Sequence, residues 1–315
     1  DMHPKYNSTV VAKELGYPML QVQHHYVHIL SCMTENDCHD PVIGVAFDGT
    51  GYGTDGTIWG GEILLADYEK FTRFGSITPF LQIGGDASAK EGWRIAVSMI
   101  YGYTKDRELA WKIIEKLGLC NEQESKVQFT MADRKINAVI STSVGRLFDA
   151  VSAILGIRRQ SSFEGEASMA LEFAAEAYEQ QNIIQGRDEK PDRLVYEKEE
   201  RFILNTRMLV QQIVEEKMQG ADSGRLAYLF HQVLAEQITA ACIEARSNSG
   251  RKKVALSGGV FQNRLLLRLT EEQLEQEGFE VLRHHMIPPN DGGIAIGQAA
   301  YGMWRLNNHG LQDRR

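Results

Sequence analysis

The sequence predicts an α/β protein of two lobes, the first incomplete and the second interrupted by a long, mainly helical insert. Two observations carry this. Three apolar segments between residues 42 and 77 are separated by short polar turns, the pattern of an antiparallel meander. Two later segments, "KKVALSG" (252–258) and "FEVLRH" (279–284), are strand-like, and each leads into a helical run.

The first strand, "VIGVAFD" (42–48), is a buried-strand pattern closing on Asp48. "TIWGGEILLADY" (57–68) and "KFTRFGSI" (70–77) complete the meander. Residues 78–251 read as mainly helical. "SVGRLFDAVSAILGI", "GEASMALEFAAEAYEQQ" and "GRLAYLFHQVLAEQITAACIEARSNSG" carry a 3.6-residue apolar period, and a glycine stops the last of them. The strand-like exceptions are "RLVYE" and "RFILN"; "IIQGRDEKPDR" (183–193) reads as a linker.

The element order is therefore three antiparallel strands, a helical insert, then strand–helix–strand–helix. That is the βββαβαβα lobe of an actin-like ATPase fold, split by an insert. In such folds the first hairpin turn wraps phosphates and the late strand–GG–helix junction holds the nucleoside. Upstream, "DMHPKYNSTVVAKELG" reads as a strand end running into a helix, "PMLQVQ" (18–23) as a strand and "HHYVHILSCMTEN" as a helix. These resemble the tail of a preceding lobe whose meander is missing, as expected of a piece of a longer protein. The expected units are a first-lobe remnant at 1–41, a second lobe at 42–77 and 252–315, and the helical insert at 78–251.

Bulk properties narrow the function. A chain of 315 residues can form two lobes around a cleft. Its formal net charge of -8 weighs against a general nucleic-acid binder. No run is apolar enough to span a bilayer and no secretory signal opens the chain, so a cytoplasmic protein with neither membrane nor nucleic-acid partners is expected. Cys32, Cys38, Cys120 and Cys242 are scattered without a CxxC pair and read as reduced thiols.

Several motifs carry chemistry. "DGTGYGTDG" (48–56) sets an Asp at a strand end before four glycines in a tight turn; backbone N–H groups there can approach a phosphate, and Asp48 can hold a cation beside it. A plain hairpin reads the same way. "LSGGVFQNRLL" (256–266) places Gly258 and Gly259 between a strand and a helix. A nucleotide can lie against them, the helix start can offer free N–H groups, and Asn263 can bond a ribose or base; a tight strand–helix loop is the alternative. "PPNDGGIAIGQAA" (288–300) repeats the design, with Asp291 also suited to N-capping. "SSFEGEASMALE" (161–172) puts Glu164 and Glu166 at a helix start, favoured by the helix dipole and able to grip ribose hydroxyls.

"QHHYVH" holds His24, His25 and His28. On a helix, His24 and His28 project from one face and can share a metal, whereas His25 points about 100° away. The pair alone is equally a pair of satisfied core histidines. Together with Asp48 and Asp291, both expected at cleft-facing strand ends, it suits zinc, iron or manganese.

"HPKYNST", "QHHYVH", "FDGTGYGTDGTIWGGE", "GGDASAKEGWR", "GRLFDAVSAILG", "FEGEASMALE", "SGGVFQNRLL" and "NDGGIAIGQ" together resemble the C-terminal module of the HypF family of nickel–iron hydrogenase maturation carbamoyltransferases. The resemblance implies metal ligation by His24, His28 and Asp291, with Asp48 as a further ligand. It implies nucleotide contacts at Gly49, Thr50, Gly51, Gly53, Asp149, Glu166, Gly258, Gly259 and Asn263; for Asp149 a ribose contact and a helix-surface role both fit. The implied cofactors are ATP, or the AMP moiety of carbamoyl adenylate, and a divalent transition metal (zinc or iron) or magnesium. The implied reaction moves a carbamoyl group from carbamoyl adenylate to the C-terminal cysteine of HypE, which becomes a cyanide ligand of the hydrogenase. YrdC-like and acylphosphatase-like domains of a parent protein would make the adenylate. No general base stands out. The alternatives are a threonylcarbamoyl- or O-carbamoyl-transferase of the same superfamily, where the tRNA-modifying branch usually carries HxEGH in place of "HHYVH", an actin-like metabolite kinase, and a non-catalytic nucleotide-binding scaffold.

Overall fold

The structure is a computed structural model and describes residues 1–185, 197–198 and 201–309. Its helices are α1 (Asn7–Glu14), α2 (His24–Glu35), α3 (Gly92–Thr104), α4 (Arg107–Lys116), α5 (Glu122–Arg134), α6 (Val144–Ile154), α7 (Glu166–Gln185), α8 (Thr206–Met218), α9 (Ser223–Ser249), α10 (Arg264–Gln276) and α11 (Ile294–His309). The strands are β1 (Val42–Tyr52), β2 (Ile58–Ala66), β3 (Phe71–Ile77), β4 (Phe80–Ile83), β5 (Ala138–Ser141), β6 (Glu197–Lys198), β7 (Phe202–Leu204), β8 (Lys253–Ser257) and β9 (Glu280–Leu282). Most of the linker expected at 183–193 and of "RLVYE" lies outside the described residues.

The strands form one mixed sheet. β1, β2 and β3 pair antiparallel as the meander, and β8 and β9 add parallel strands on the other side of β1. The path runs β6-β7-β3-β2-β1-β8-β9, so β1 lies between the meander and the late strands. Alternation along β1 divides the core in two, because successive side chains leave opposite faces. Ile43, Val45 and Phe47 join the larger core with α3, α6, α9 and α10. Val42 and Ala46 join a smaller core with α2. α2 is wedged between the sheet and α11, which is why every residue from His24 to Met33 is buried. Gly250, with φ 74°, ends α9 where the sequence places the stop. No helix among the described residues is long and apolar enough to cross a membrane.

Three expectations are corrected. "PMLQVQ" (18–23) is not a strand: it has no ladder partner among the described residues, and an extended segment without one has nothing to hold it as a strand. The glycine run after Asp48 is not wholly a turn, since β1 continues to Tyr52 with a register shift between Phe47 and Gly51, and only Gly53 and Gly56 sit in the reversal. The insert also supplies the paired strands β4 and β5, each four residues long and too short to show a period.

Candidate metal and nucleotide site

The site forms where α2 begins and β1 ends. Gln23 caps α2 by accepting the Tyr26 N–H at 2.9 Å, and its Nε2 donates to the Tyr52 carbonyl at 3.2 Å. This pins the helix start to the β1 terminus. His24 and His28, one turn apart, then face Asp48. Asp291 arrives from the loop after β9. Its neighbour Asn290, not Asp291, provides the N-cap, accepting the Gly292 N–H at 3.0 Å, so the expected capping role of Asp291 passes to Asn290 and the Asp291 carboxylate is left to face the histidines.

His24 Nε2 lies 3.1 Å from Asp48 Oδ2 and 3.3 Å from Asp291 Oδ1; His28 Nε2 lies 3.4 and 3.5 Å from the same two atoms. One ligand atom from each of the four residues falls within a 4.8 Å span. The side chains of His24, His28 and Asp48 are 0%, 1% and 9% exposed, and that of Asp291 is 63% exposed, so Asp291 marks the solvent side. His24 Nδ1 contacts Asp1 Oδ2 at 2.7 Å. With the Nδ1 proton held toward Asp1, a cation that displaced the Nε2 proton would meet the Nε2 lone pair pointing into the cluster, as in a carboxylate-oriented metal histidine.

Burial pulls the His24 pKa down, but the bonds to Asp291 and Asp48 more than reverse this and raise it to about 10. His28 is raised by the same partners against the same burial. Burial pushes Asp48 up, and the imidazoles hold it well below the usual carboxylate range; Asp291 is lowered chiefly by the facing imidazoles of His24 and His28. His28 Nε2 is buried and makes no hydrogen bond of good geometry. An orphaned imidazole nitrogen among two carboxylates and a second imidazole fits a divalent ion of the zinc, iron or manganese type. His25 stands apart: fully buried, its Nδ1 lies 3.1 Å from Gln23 Nε2.

The nucleotide-side residues are more occupied than the sequence suggests. Gly259 donates its N–H to Asp48 Oδ1 at 3.0 Å, and Gly258 donates to the Pro289 carbonyl at 3.0 Å. Gly258 has φ 104°, and a Cβ there would run into the Phe47 carbonyl oxygen, so its small size first serves the approach of β1. The expected free N–H groups at the start of α10 are also taken. Glu172 accepts the Arg264 and Leu265 N–H groups at 2.6 and 3.4 Å, and Asn263 caps Leu266 at 2.8 Å. The Asn263 amide nitrogen contacts His231 Nε2 at 2.9 Å, and His231 Nδ1 contacts the Ala227 carbonyl at 2.7 Å. The ring therefore carries its proton on Nδ1 and accepts from Asn263. Sequence reasoning missed Glu172 and His231; a buried acid and a buried histidine inside apolar helices were the available signals.

In the hairpin, a Cβ on Gly51 would strike His24 and His25, and one on Gly53 would strike Trp59, so these glycines make room for rings; Gly49 and Thr50 continue β1, and the Gly49 carbonyl accepts the Ser143 hydroxyl. Asp149 is buried on α6 against Arg146, 3.0 Å away, and burial raises its pKa to about 6 despite that cation. Glu166 accepts the Ser162 N–H and hydroxyl at 2.5 and 2.9 Å and lies 3.4 Å from Arg158, bracing the turn before α7. Glu62, fully buried in β2, also escaped notice. It binds Arg73 at 2.6 Å, and Arg73 reaches Asp55 at 3.0 Å over the Trp59 ring.

A meander followed by parallel strands, a glycine loop on each late strand and a histidine–carboxylate cluster at the end of β1 define an actin-like fold with a candidate metal centre. Residues 44–298 match the family described as Carbamoyltransferase, Kae1-like Domain, second subdomain, and residues 1–35 match the HypF Kae1-like domain. The chain belongs to the HypF carbamoyltransferase family. It is 34% identical over 305 residues to the carbamoyltransferase HypF homolog of Cupriavidus necator, covering 95% of this chain and 75% of that protein. It is 33% identical over 310 residues to carbamoyltransferase HypF of Rhizobium leguminosarum bv. viciae, covering 98% of this chain and 38% of that protein. A crystal structure of full-length HypF in the phosphate- and nucleotide-bound form superimposes with a TM-score of 0.88 at 36% identity, over 98% of this chain and 47% of that one. T. kodakarensis HypF superimposes with a TM-score of 0.85 at 31% identity, over 97% and 40%. The chain thus spans less than half the length of three of these four proteins.

Proposed function

We propose that this chain is the carbamoyl-transferring module of a HypF-type protein. It would receive carbamoyl adenylate and pass the carbamoyl group to the C-terminal cysteine of HypE, on the route to the cyanide ligand of nickel–iron hydrogenase. The acceptor thiol gives its proton to solvent and the thiolate attacks the carbamoyl carbon; the C–S bond forms, the C–O bond to phosphate breaks, and AMP leaves with that electron pair. The observation that carries the reading is the convergence of His24, His28, Asp48 and Asp291 on one point, with Asp48 also bonded to the Gly258–Gly259 loop.

His24, His28, Asp48 and Asp291 would hold the divalent ion, which when bound supplies Lewis-acid charge for a phosphate or carbamoyl oxygen. The chain's own residues do the rest. Asp48 holds the glycine loop at a fixed distance from the imidazoles. Glu172, Asn263 and His231 fix the start of α10 behind that loop. The acceptor thiol belongs to the partner on this reading. Cys32, Cys38 and Cys242 are buried, and burial also pushes the half-buried Cys120 thiol up to about 11. Four unpaired cysteines also suit a cytoplasmic site of action. YrdC-like and acylphosphatase-like domains of the parent would supply the adenylate.

The test is direct. The chain, loaded with zinc or iron, is incubated with carbamoyl adenylate and a peptide ending in the HypE cysteine. Mass spectrometry should find carbamoyl on the peptide sulfur and AMP in solution. An unmodified peptide, with adenylate bound and intact, would contradict the reading.

A further inference from the structure

We infer that Glu35, at the last residue of α2, is a positioning residue that sets Asp291 against the imidazole pair. Its side chain is 6% exposed, and both of its oxygens are committed to the segment after β9. Oε1 accepts the N–H groups of His285, Met286 and Ile287 at 2.9, 2.5 and 3.1 Å. Oε2 contacts His284 Nδ1 at 2.7 Å, and His284 Nε2 contacts the Ser257 hydroxyl at 2.9 Å. Ser257 directly precedes Gly258. One carboxylate therefore joins the helix of His24 and His28, the loop that delivers Asp291, and the end of β8.

Two further bonds hold the loop nearer Asp291, where the Pro289 carbonyl accepts the Gly258 N–H at 3.0 Å and the Gly293 carbonyl accepts the Ser31 hydroxyl at 2.9 Å, but neither reaches residues 285–287. Met286 is 91% exposed and adds no apolar packing, while Ile287 is half-buried with its side chain near Gly293. Pro288 and Pro289 have no N–H to bond. Asn36 ties α2 to the Arg283 carbonyl at 3.0 Å, but that contact ends at β9 and does not reach residues 285–287. Three convergent N–H donors on one buried carboxylate form a strong, directional anchor. They also explain why Glu35 stays ionised: burial pushes its pKa up, and the backbone donors outweigh this and hold it well below the usual range. Asp291 lies four residues past Ile287 and is the most exposed member of the cluster, so it depends most on its loop.

The inference rests on the metal reading only in its second arm. The first arm is amide hydrogen exchange on the whole chain without added metal. Glu35→Ala should speed exchange at residues 285–287 at least tenfold, leave residues 26–33 of α2 unchanged, and be rescued by Glu35→Gln, which keeps an acceptor oxygen. Unchanged exchange at 285–287 overturns the inference. The second arm is zinc titration in a double-mutant cycle. Glu35→Ala should weaken zinc at least tenfold in the native background and less than twofold in Asp291→Ala. Equal losses in both would show a merely structural role and overturn it. A native chain with no zinc affinity would sink the metal reading, and exchange alone would then decide the role of Glu35. Should Glu35→Ala not fold, Glu35→Asp gives the same comparison, being too short to reach all three donors.

Discussion

Asp48 and Gly259 share a 3.0 Å hydrogen bond from the Gly259 N–H to Asp48 Oδ1, while Oδ2 of the same carboxylate faces His24 Nε2 at 3.1 Å. One side chain thus links the candidate metal cluster to the candidate nucleotide loop. Asp48→Asn keeps an oxygen for Gly259 but removes the charge; Asp48→Ala removes both. Both variants should weaken zinc at least tenfold, and only Asp48→Ala should also weaken AMP more than about threefold, consistent with the loss of one backbone-held contact. Calorimetry with each ligand checks this.

His24→Ala and His28→Ala should each abolish tight transition-metal binding, whereas His25→Ala should keep it. His25 is fully buried and contacts Gln23, outside the cluster. Its loss leaves a cavity and costs on the order of 1–3 kcal/mol of stability instead. Elemental analysis beside urea unfolding of the three variants separates the two effects.

Gly258→Ala should destabilise the whole chain, because its φ of 104° strains an L-residue and the new Cβ would meet the Phe47 carbonyl. A loss of roughly 1–3 kcal/mol in urea unfolding is expected. A variant of native stability with weakened AMP binding would instead show that the space at Gly258 belongs to the ligand.

Burial lowers the pKa of His231 from 6.5 to about 4, and its bond to the Ala227 carbonyl only partly opposes this. The folded protein holds the ring neutral while the unfolded chain protonates it. The unfolded state therefore binds more protons between these values. The stability contribution is present above pH 6.5 and is lost as pH falls toward 4, at about 1.4 kcal/mol per unit. The stability difference between native and His231→Gln should shrink on going from pH 7 to pH 5, as read by urea unfolding at each pH.

Local patterns made much of this legible. The four-residue spacing of His24 and His28 sets them on one helical face, and the apolar run of β1 places Asp48 at its end. Their meeting with Asp291 rests on strand order, which element order along the chain suggested. What stayed hidden was non-local. Glu172 caps a helix 92 residues away, Glu35 grips a loop 250 residues away, and neither has a neighbour in sequence that announces it. The segment at 18–23 misled for the converse reason: its apolar pattern is strand-like, but a strand is defined by its partner.

The central claim is that His24, His28, Asp48 and Asp291 form one metal centre. Anomalous scattering from crystals of the chain grown with zinc, measured on both sides of the absorption edge, tests it most directly. The account predicts a single edge-dependent peak within coordination distance, about 2.0–2.2 Å, of His24 Nε2, His28 Nε2, Asp48 Oδ2 and Asp291 Oδ1. A peak coordinated by His25, or none at this cluster while zinc binds elsewhere on the chain, would contradict it.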